Sequence, residues 1–181
     1  MGRFSILILL VIIVIGCKTY YKNDAGGIRP KKPKFTYNNP PYQLKTEDLI
    51  DTNSVYISIN RKDDGFNFIR FFPNGRFFEN SYLSYINEKP LVAYNDYNNG
   101  GFIGYYKVNN NNEIEMEHYH RSTGSSRGSV DDYIKLYGHL KNDSLFIYCG
   151  SKYDKLPKSS EKNCEIFTRK KTEGLTGTPD W

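Results

Sequence analysis

Residues that usually mark a catalytic or metal centre are scarce in this chain. It has three histidines and three cysteines among 181 residues. His118 and His120 fall on one face of an expected strand at i and i+2, which can begin a metal site, but no third or fourth ligand can be named beside them. His139 stands alone. Neither a metal nor a cofactor is implied. The one glycine-rich stretch, Ser122-Thr123-Gly124-Ser125-Ser126-Arg127-Gly128-Ser129, lacks the lysine and the strand-to-helix setting of a phosphate loop, and is expected to be a mobile loop. No Gly-x-Ser-x-Gly frames a serine, and His120 is too close to Ser122 in sequence for a triad. Asp63-Asp64 and Asp131-Asp132 are expected in turns, where carboxylates serve local hydrogen bonding rather than acid–base work.

A long hydrophobic run is also lacking. A membrane-crossing helix needs ~20 apolar residues, whereas the run that begins at Phe4 stops after about 14, with Lys18 directly behind it. A myristoylation signal fails because Ile6 stands where Ser or Thr is required. An ordinary secretory cut site wants small residues at −3 and −1, which Val14 and Gly16 meet only loosely. The order Val14-Ile15-Gly16-Cys17 behind Arg3 and the apolar run instead resembles the lipobox of bacterial lipoproteins. That resemblance implies a signal peptide over residues 1–16 and a diacylglyceryl group on the thiol of Cys17. It also implies cleavage before Cys17 and further acylation by a fatty acid such as palmitate. Two or more lipid chains anchor a protein stably where one does not. Lys18 stands where an aspartate retains some lipoproteins at the inner membrane, so the resemblance implies the outer membrane.

Basic charge is absent from most of the chain. The formal charge of +5 looks like a nucleic-acid signal until it is mapped. Residues 17–46 hold Lys18, Lys22, Arg29, Lys31, Lys32, Lys34 and Lys45 against Asp24 alone, while residues 47–181 hold 17 basic and 19 acidic side chains. No nucleic-acid partner is implied. Residues 17–45, with Gly26-Gly27, Pro30, Pro33, Pro40 and Pro41 and no apolar periodicity, read as an extended tether. With Cys17 acylated, Cys149 and Cys164 remain to pair in an oxidising compartment. The disulfide would close a loop of about 15 residues, worth ~3 kcal/mol on the chain-entropy view.

What is plentiful is aromatic: 16 Tyr and 11 Phe, residues that suit a half-buried pleated surface. Thr46 to Ile50 alone suggests a short helical turn, with Thr46 as cap. Three hairpins are expected. Phe66–Phe72 and Arg76–Tyr82 flank a three-residue Pro73-Asn74-Gly75 loop. Phe102–Asn109 and Glu113–Arg121 should pair with Val108 opposite Ile114, which also sets Lys107 against Glu115. Tyr133–Leu140 and Leu145–Cys149 should pair with Leu140 opposite Leu145. Glu113, Glu115 and Glu117 then share a face expected to be solvated. Adding strands at Ser54–Asn60, Leu91–Tyr94 and Cys164–Lys170 gives an all-β, single antiparallel meander of about 8–9 strands over residues 46–171. A long meander hides its edges by closing into a barrel. Residues 172–181 form a C-terminal tail. On these registers Tyr105, Tyr119, Tyr137 and Tyr148 point away from the aliphatic face, as a possible recognition surface for a protein or glycan.

The chain thus resembles the small lipocalin-like lipoproteins common in Bacteroidetes. The resemblance rests on the lipobox, on Ile50-Asp51-Thr52-Asn53-Ser54-Val55-Tyr56, on Ile69-Arg70-Phe71-Phe72-Pro73-Asn74-Gly75-Arg76, and on Leu140-Lys141-Asn142-Asp143-Ser144-Leu145. True lipocalins open their first strand with Gly-x-Trp; the lone tryptophan here is Trp181. The expected function is a membrane-anchored, non-catalytic envelope lipoprotein whose barrel binds a small ligand or a protein or glycan partner. The alternatives are an inhibitor or immunity-type lipoprotein, with a loop such as 122–130 filling another enzyme's cleft, and an envelope hydrolase.

Overall fold

In the computed structural model, which describes residues 19–23, 27–58, 65–83, 90–97, 100–109, 112–125, 128–148 and 164–179, three tight turns gather at one end of a closed barrel. The strands in chain order are β1 (Tyr20–Lys22), β2 (Ile28–Pro30), β3 (Ser54–Ser58), β4 (Gly65–Phe71), β5 (Arg76–Leu83), β6 (Phe102–Val108), β7 (Glu113–Ser125), β8 (Gly128–Lys141), β9 (Ser144–Tyr148) and β10 (Cys164–Lys171), with one helix, α1 (Pro90–Asn95), between β5 and β6. Strands β3 to β10 run round the barrel in sequence order, every pair antiparallel, and β10 closes on β3. The fold is therefore an eight-stranded antiparallel barrel with a small β1–β2 sheet beside it.

The turn chemistry sets the registers. Phe72 N–H donates to the Arg76 carbonyl at 2.9 Å, enclosing the expected three-residue loop, and Gly75 has φ of 73°. A side chain at Gly75 would run into the Tyr42 backbone, so this glycine serves close approach as well as the turn. In the second hairpin Val108 faces Ile114, Gly104 faces His118, and the Lys107 ammonium meets Glu115 at 3.1 Å. In the third, Leu140 faces Leu145 and Gly138 faces Ile147, with Asn142 in the left-handed region at φ 54°. The other ends of the strands connect through residues 59–64, 84–101, 126–127 and 149–163. We call the two ends the turn end and the loop end.

Alternation then sorts side chains. Tyr56, Ile69, Phe71, Phe77, Tyr106, Ile114, Met116, Leu145, Ile147 and Phe167 form one interior cluster, capped at the turn end by Tyr42, Leu44 and Ile50. Two patches of the outer wall are also covered. Helix α1 and Leu175 of the tail lie on Val55, Phe68, Phe72, Phe78 and Ile103. Phe35 and its neighbours lie on Tyr105 and Tyr119.

Several expectations are corrected. Leu91–Tyr94 is helical rather than a strand. Pro90 suits the first turn of a helix, where its missing N–H is not needed, and Arg70 holds the far end by donating to the Tyr94 carbonyl at 3.1 Å and to Asn95 Oδ1 at 3.0 Å. Residues 46–50 form turns, with Asp48 accepting from the Lys45 N–H, instead of a helical turn. The expected tether, from Gly27 to Lys45, is laid against the barrel as a strap: Arg29 and Phe35 are buried, and Arg29 donates to the Tyr97 carbonyl at 3.0 Å. Burial lowers the Arg29 guanidinium below its usual value. Asp131 and Asp132 lie within β8, not in a turn, and the expected loop at 122–129 is largely taken up by the extended ends of β7 and β8. Cys17, with Val14, Ile15 and Gly16, lies outside the described residues, as do Cys149 and Asp63-Asp64; Cys164 begins β10, its backbone opposite Tyr148.

Candidate functional site

The inner face changes character halfway along the barrel. Towards the turn end it is apolar and closed. Towards the loop end the same alternation brings in Ser58 from β3, Asn67 from β4, Glu79 and Ser81 from β5, Phe102 from β6, His118 and His120 from β7, and Glu165 from β10. Ser58, Asn67, Glu79, His118 and Glu165 each lie two residues from an apolar inner residue of their own strand, and Ser81, His120 and Phe102 continue the same face two residues from Glu79, His118 and Gly104. Gly104 marks the boundary. It opposes both Phe77 and His118, and a Cβ there would come within 2.6 Å of the Phe77 ring.

Part of this polar set is satisfied internally. Ser81 Oγ donates to Asn67 Oδ1 at 2.8 Å, and Asn67 Nδ2 donates to Glu165 Oε1 at 3.2 Å. The rest is not. His118 Nδ1, His120 Nδ1 and Glu79 Oε2 are buried and have no hydrogen-bond partner among the described residues. His118 Nδ1 lies 3.7 Å from Glu79 Oε2, an ion pair when the imidazole is protonated and too long for a hydrogen bond. Phe102 lies beside both imidazoles, its ring centroid 4.6 Å from His118 and 5.6 Å from His120. Two imidazoles, a carboxylate and a flat aromatic face can grip a polar planar molecule or relay a proton. Among the described residues, no group of three or more His, Cys, Asp or Glu is placed to hold a metal ion.

The sequence pairs His118 with His120 correctly but misses Glu79 and Phe102. Their approach depends on the β5–β6 pairing, which sets Glu79 opposite Phe102 across a long connection. The alternation of Glu79 with Phe77 was the signal available. His139 is elsewhere, on the outer face, stacked on Phe146 at 4.5 Å with Nδ1 2.9 Å from the Tyr148 hydroxyl.

The four tyrosines singled out as a recognition surface do point outwards, but they are not exposed: Tyr119 keeps 4%, Tyr105 6%, Tyr137 7% and Tyr148 8% of their surface. Phe35 packs on Tyr105 at 5.0 Å, and the Tyr119 hydroxyl donates to Asp131 at 2.9 Å. Burial, then the bond to Asp131, pushes the Tyr119 hydroxyl up to about 12. The acidic face is corrected in the same way. Glu117 is buried, accepting from the Thr36 N–H and hydroxyl and from the Tyr37 N–H at 3.4 Å, and Glu115 accepts from the Tyr37 hydroxyl at 2.5 Å. These carboxylates hold the strap instead of facing water.

No protein-family model matches the sequence, and neither the curated proteins nor the solved structures contain a match. Among the described residues no helix is long and apolar enough to cross a membrane.

Proposed function

We propose that the chain is an envelope lipoprotein, lipidated on Cys17 and carried on the outer membrane, whose barrel is a non-catalytic binding module for a small polar ligand at its loop end. One observation carries the binding reading: among the described residues, three buried polar atoms beside the Phe102 ring, Glu79 Oε2, His118 Nδ1 and His120 Nδ1, have no hydrogen-bond partner. A buried unpartnered polar atom costs about 1–3 kcal/mol. Three on one inner face support a molecule from outside that supplies the missing donors and acceptors. It would stack a planar or apolar part on Phe102. The filled turn end limits it to the loop half of the barrel. Support for the anchor is the order of residues 14–17.

The test is native mass spectrometry of the full chain extracted from envelopes in mild detergent. A small co-purifying mass is expected, lost in Glu79→Gln and His118→Asn; a bare wild-type mass would sink the binding reading. Separately, Cys17→Ser should abolish labelling by radioactive fatty acid, and persistent labelling would sink the anchor.

The inhibitor-type alternative has its own support. Strands β7 and β8 are 13 and 14 residues long, against 5 to 8 for the other barrel strands. Among the described residues, β6 pairs with β7 up to His118, and β9 pairs with β8 from Gly138. Among these residues β7 and β8 thus run on as a two-stranded ribbon beyond their pairings with β6 and β9, a shape that suits insertion into a partner's cleft. Glu79→Gln separates the readings, because a partner held by the ribbon would not respond to it.

A further inference from the structure

On the outside of the barrel, a groove of about 610 Å³ lies between the strap and the β7–β8 wall, lined by Thr19, Pro30, Lys31, Lys32, Lys34, Tyr119, Asp131 and Tyr133. Lys31, Lys32 and Lys34 are exposed, and none of their ammonium groups has an acidic partner among the described residues. The one carboxylate in the groove is already committed. Asp131 accepts from the Thr19 hydroxyl, from Tyr119 and from Arg121, whose guanidinium pairs with it and lies 3.8 Å from the Tyr20 ring centroid. Burial alone would raise the Asp131 carboxyl; these partners outweigh it and hold it below the usual range. The groove therefore presents three cations over a wall of two tyrosines and a proline.

Its distance from the N-terminal segment is fixed. The Lys31 N–H donates to the Thr19 carbonyl at 2.8 Å, Tyr20 pairs with Pro30, and the Lys34 N–H donates to the Tyr133 hydroxyl at 2.9 Å. Cys17 precedes Thr19 by two residues, a reach of at most ~7 Å of chain.

We propose that this groove binds the phosphate headgroup of an anionic phospholipid in the same leaflet as the anchor, fixing the barrel wall against the membrane. The proposal rests on the Cys17 anchor reading for its geometry. Charge complementarity selects the occupant, since basic side chains next to an anchored lipid are drawn to an anionic surface within a Debye length. The half-buried Tyr133 ring suits the boundary between headgroup and water.

The experiment is a lysine-labelling footprint, read by mass spectrometry, on the full chain reconstituted into phosphatidylcholine vesicles with and without phosphatidylglycerol. Labelling of Lys31, Lys32 and Lys34 is expected to fall about threefold or more only when phosphatidylglycerol is present, with Lys45 and Lys170 unchanged. Equal labelling in both vesicles overturns the proposal. So does equal protection by inorganic phosphate without vesicles, which would mark a site for free anions. The mass of the N-terminal peptide reports lipidation in the same digest. An unlipidated Cys17 with protected lysines thus overturns the anchor alone, and a lipidated Cys17 with unprotected lysines overturns the groove alone.

Discussion

The two halves of the barrel interior use one alternation for opposite ends. At the turn end, Phe71, Phe77, Tyr106, Ile114 and Met116 meet with essentially no exposure, and the buried hydroxyls are paired, Tyr106 donating to the Phe72 carbonyl at 2.8 Å and Tyr56 accepting from the Asp51 N–H at 3.0 Å. At the loop end, buried polar atoms have no hydrogen-bond partner among the described residues. Stability comes mainly from the first half, while the second keeps groups with no hydrogen-bond partner among the described residues. A region that costs stability without supplying structure is where binding is best sought.

Substitutions can break this contrast or sharpen it. Phe71→Ala, in the filled half, should cost about 3–5 kcal/mol in urea unfolding; a loss below 1 kcal/mol would mean that the turn half is loosely packed. Gly104→Ala, at the boundary, drives a Cβ towards Phe77 and the Glu117 carbonyl and should cost about 1–3 kcal/mol by the same measurement. His118→Leu, in the unpaired half, should leave stability unchanged or raise it by up to about 1 kcal/mol while abolishing the co-purifying mass. A loss like that of Phe71→Ala would make His118 a structural residue. The smallest effect is alkaline. Burial, then the hydrogen bond to Asp48, pushes the Tyr42 hydroxyl up to about 12, and burial raises Tyr106 as well. Raised phenols stabilise the fold fully below the ordinary value near 10. That contribution is lost as pH climbs through the folded values, since the unfolded chain ionises first. Stability should therefore decline above pH ~10, and Tyr42→Phe should soften the decline; an unchanged slope would remove Tyr42 from the account.

How much of this could be read beforehand follows from which interactions are local. The second and third hairpins were readable because charge and apolar patterns agreed on one register, as in Lys107 against Glu115 and Leu140 against Leu145. Leu91–Tyr94 was ambiguous because a short apolar run does not distinguish strand from helix. The strap was invisible to periodicity. It is held by single contacts distant in sequence, such as Thr36 on Glu117, and these leave no repeating mark. The tyrosines were placed on the correct face, but what covers that face lies in the strap. Of the candidate site, the His118–His120 pair was readable, and Glu79 and Phe102 were not.

The strap has a mechanical consequence. If the chain is moored through Cys17, as proposed, a tug from the membrane would arrive at Thr19. The load would fall on the Thr19 bond to Asp131 and the Tyr20–Pro30 pairing, then on the Lys34 bond to Tyr133 and the Glu117 clamp on Thr36 and Tyr37. All of them are side-chain or edge contacts, made before any hydrogen bond between barrel strands is loaded. The β1–β2 ladder and those few hydrogen bonds form a sacrificial seam. They could peel and reseal while the closed ring of strands stays intact, leaving the site at the loop end undisturbed by movement of its mooring.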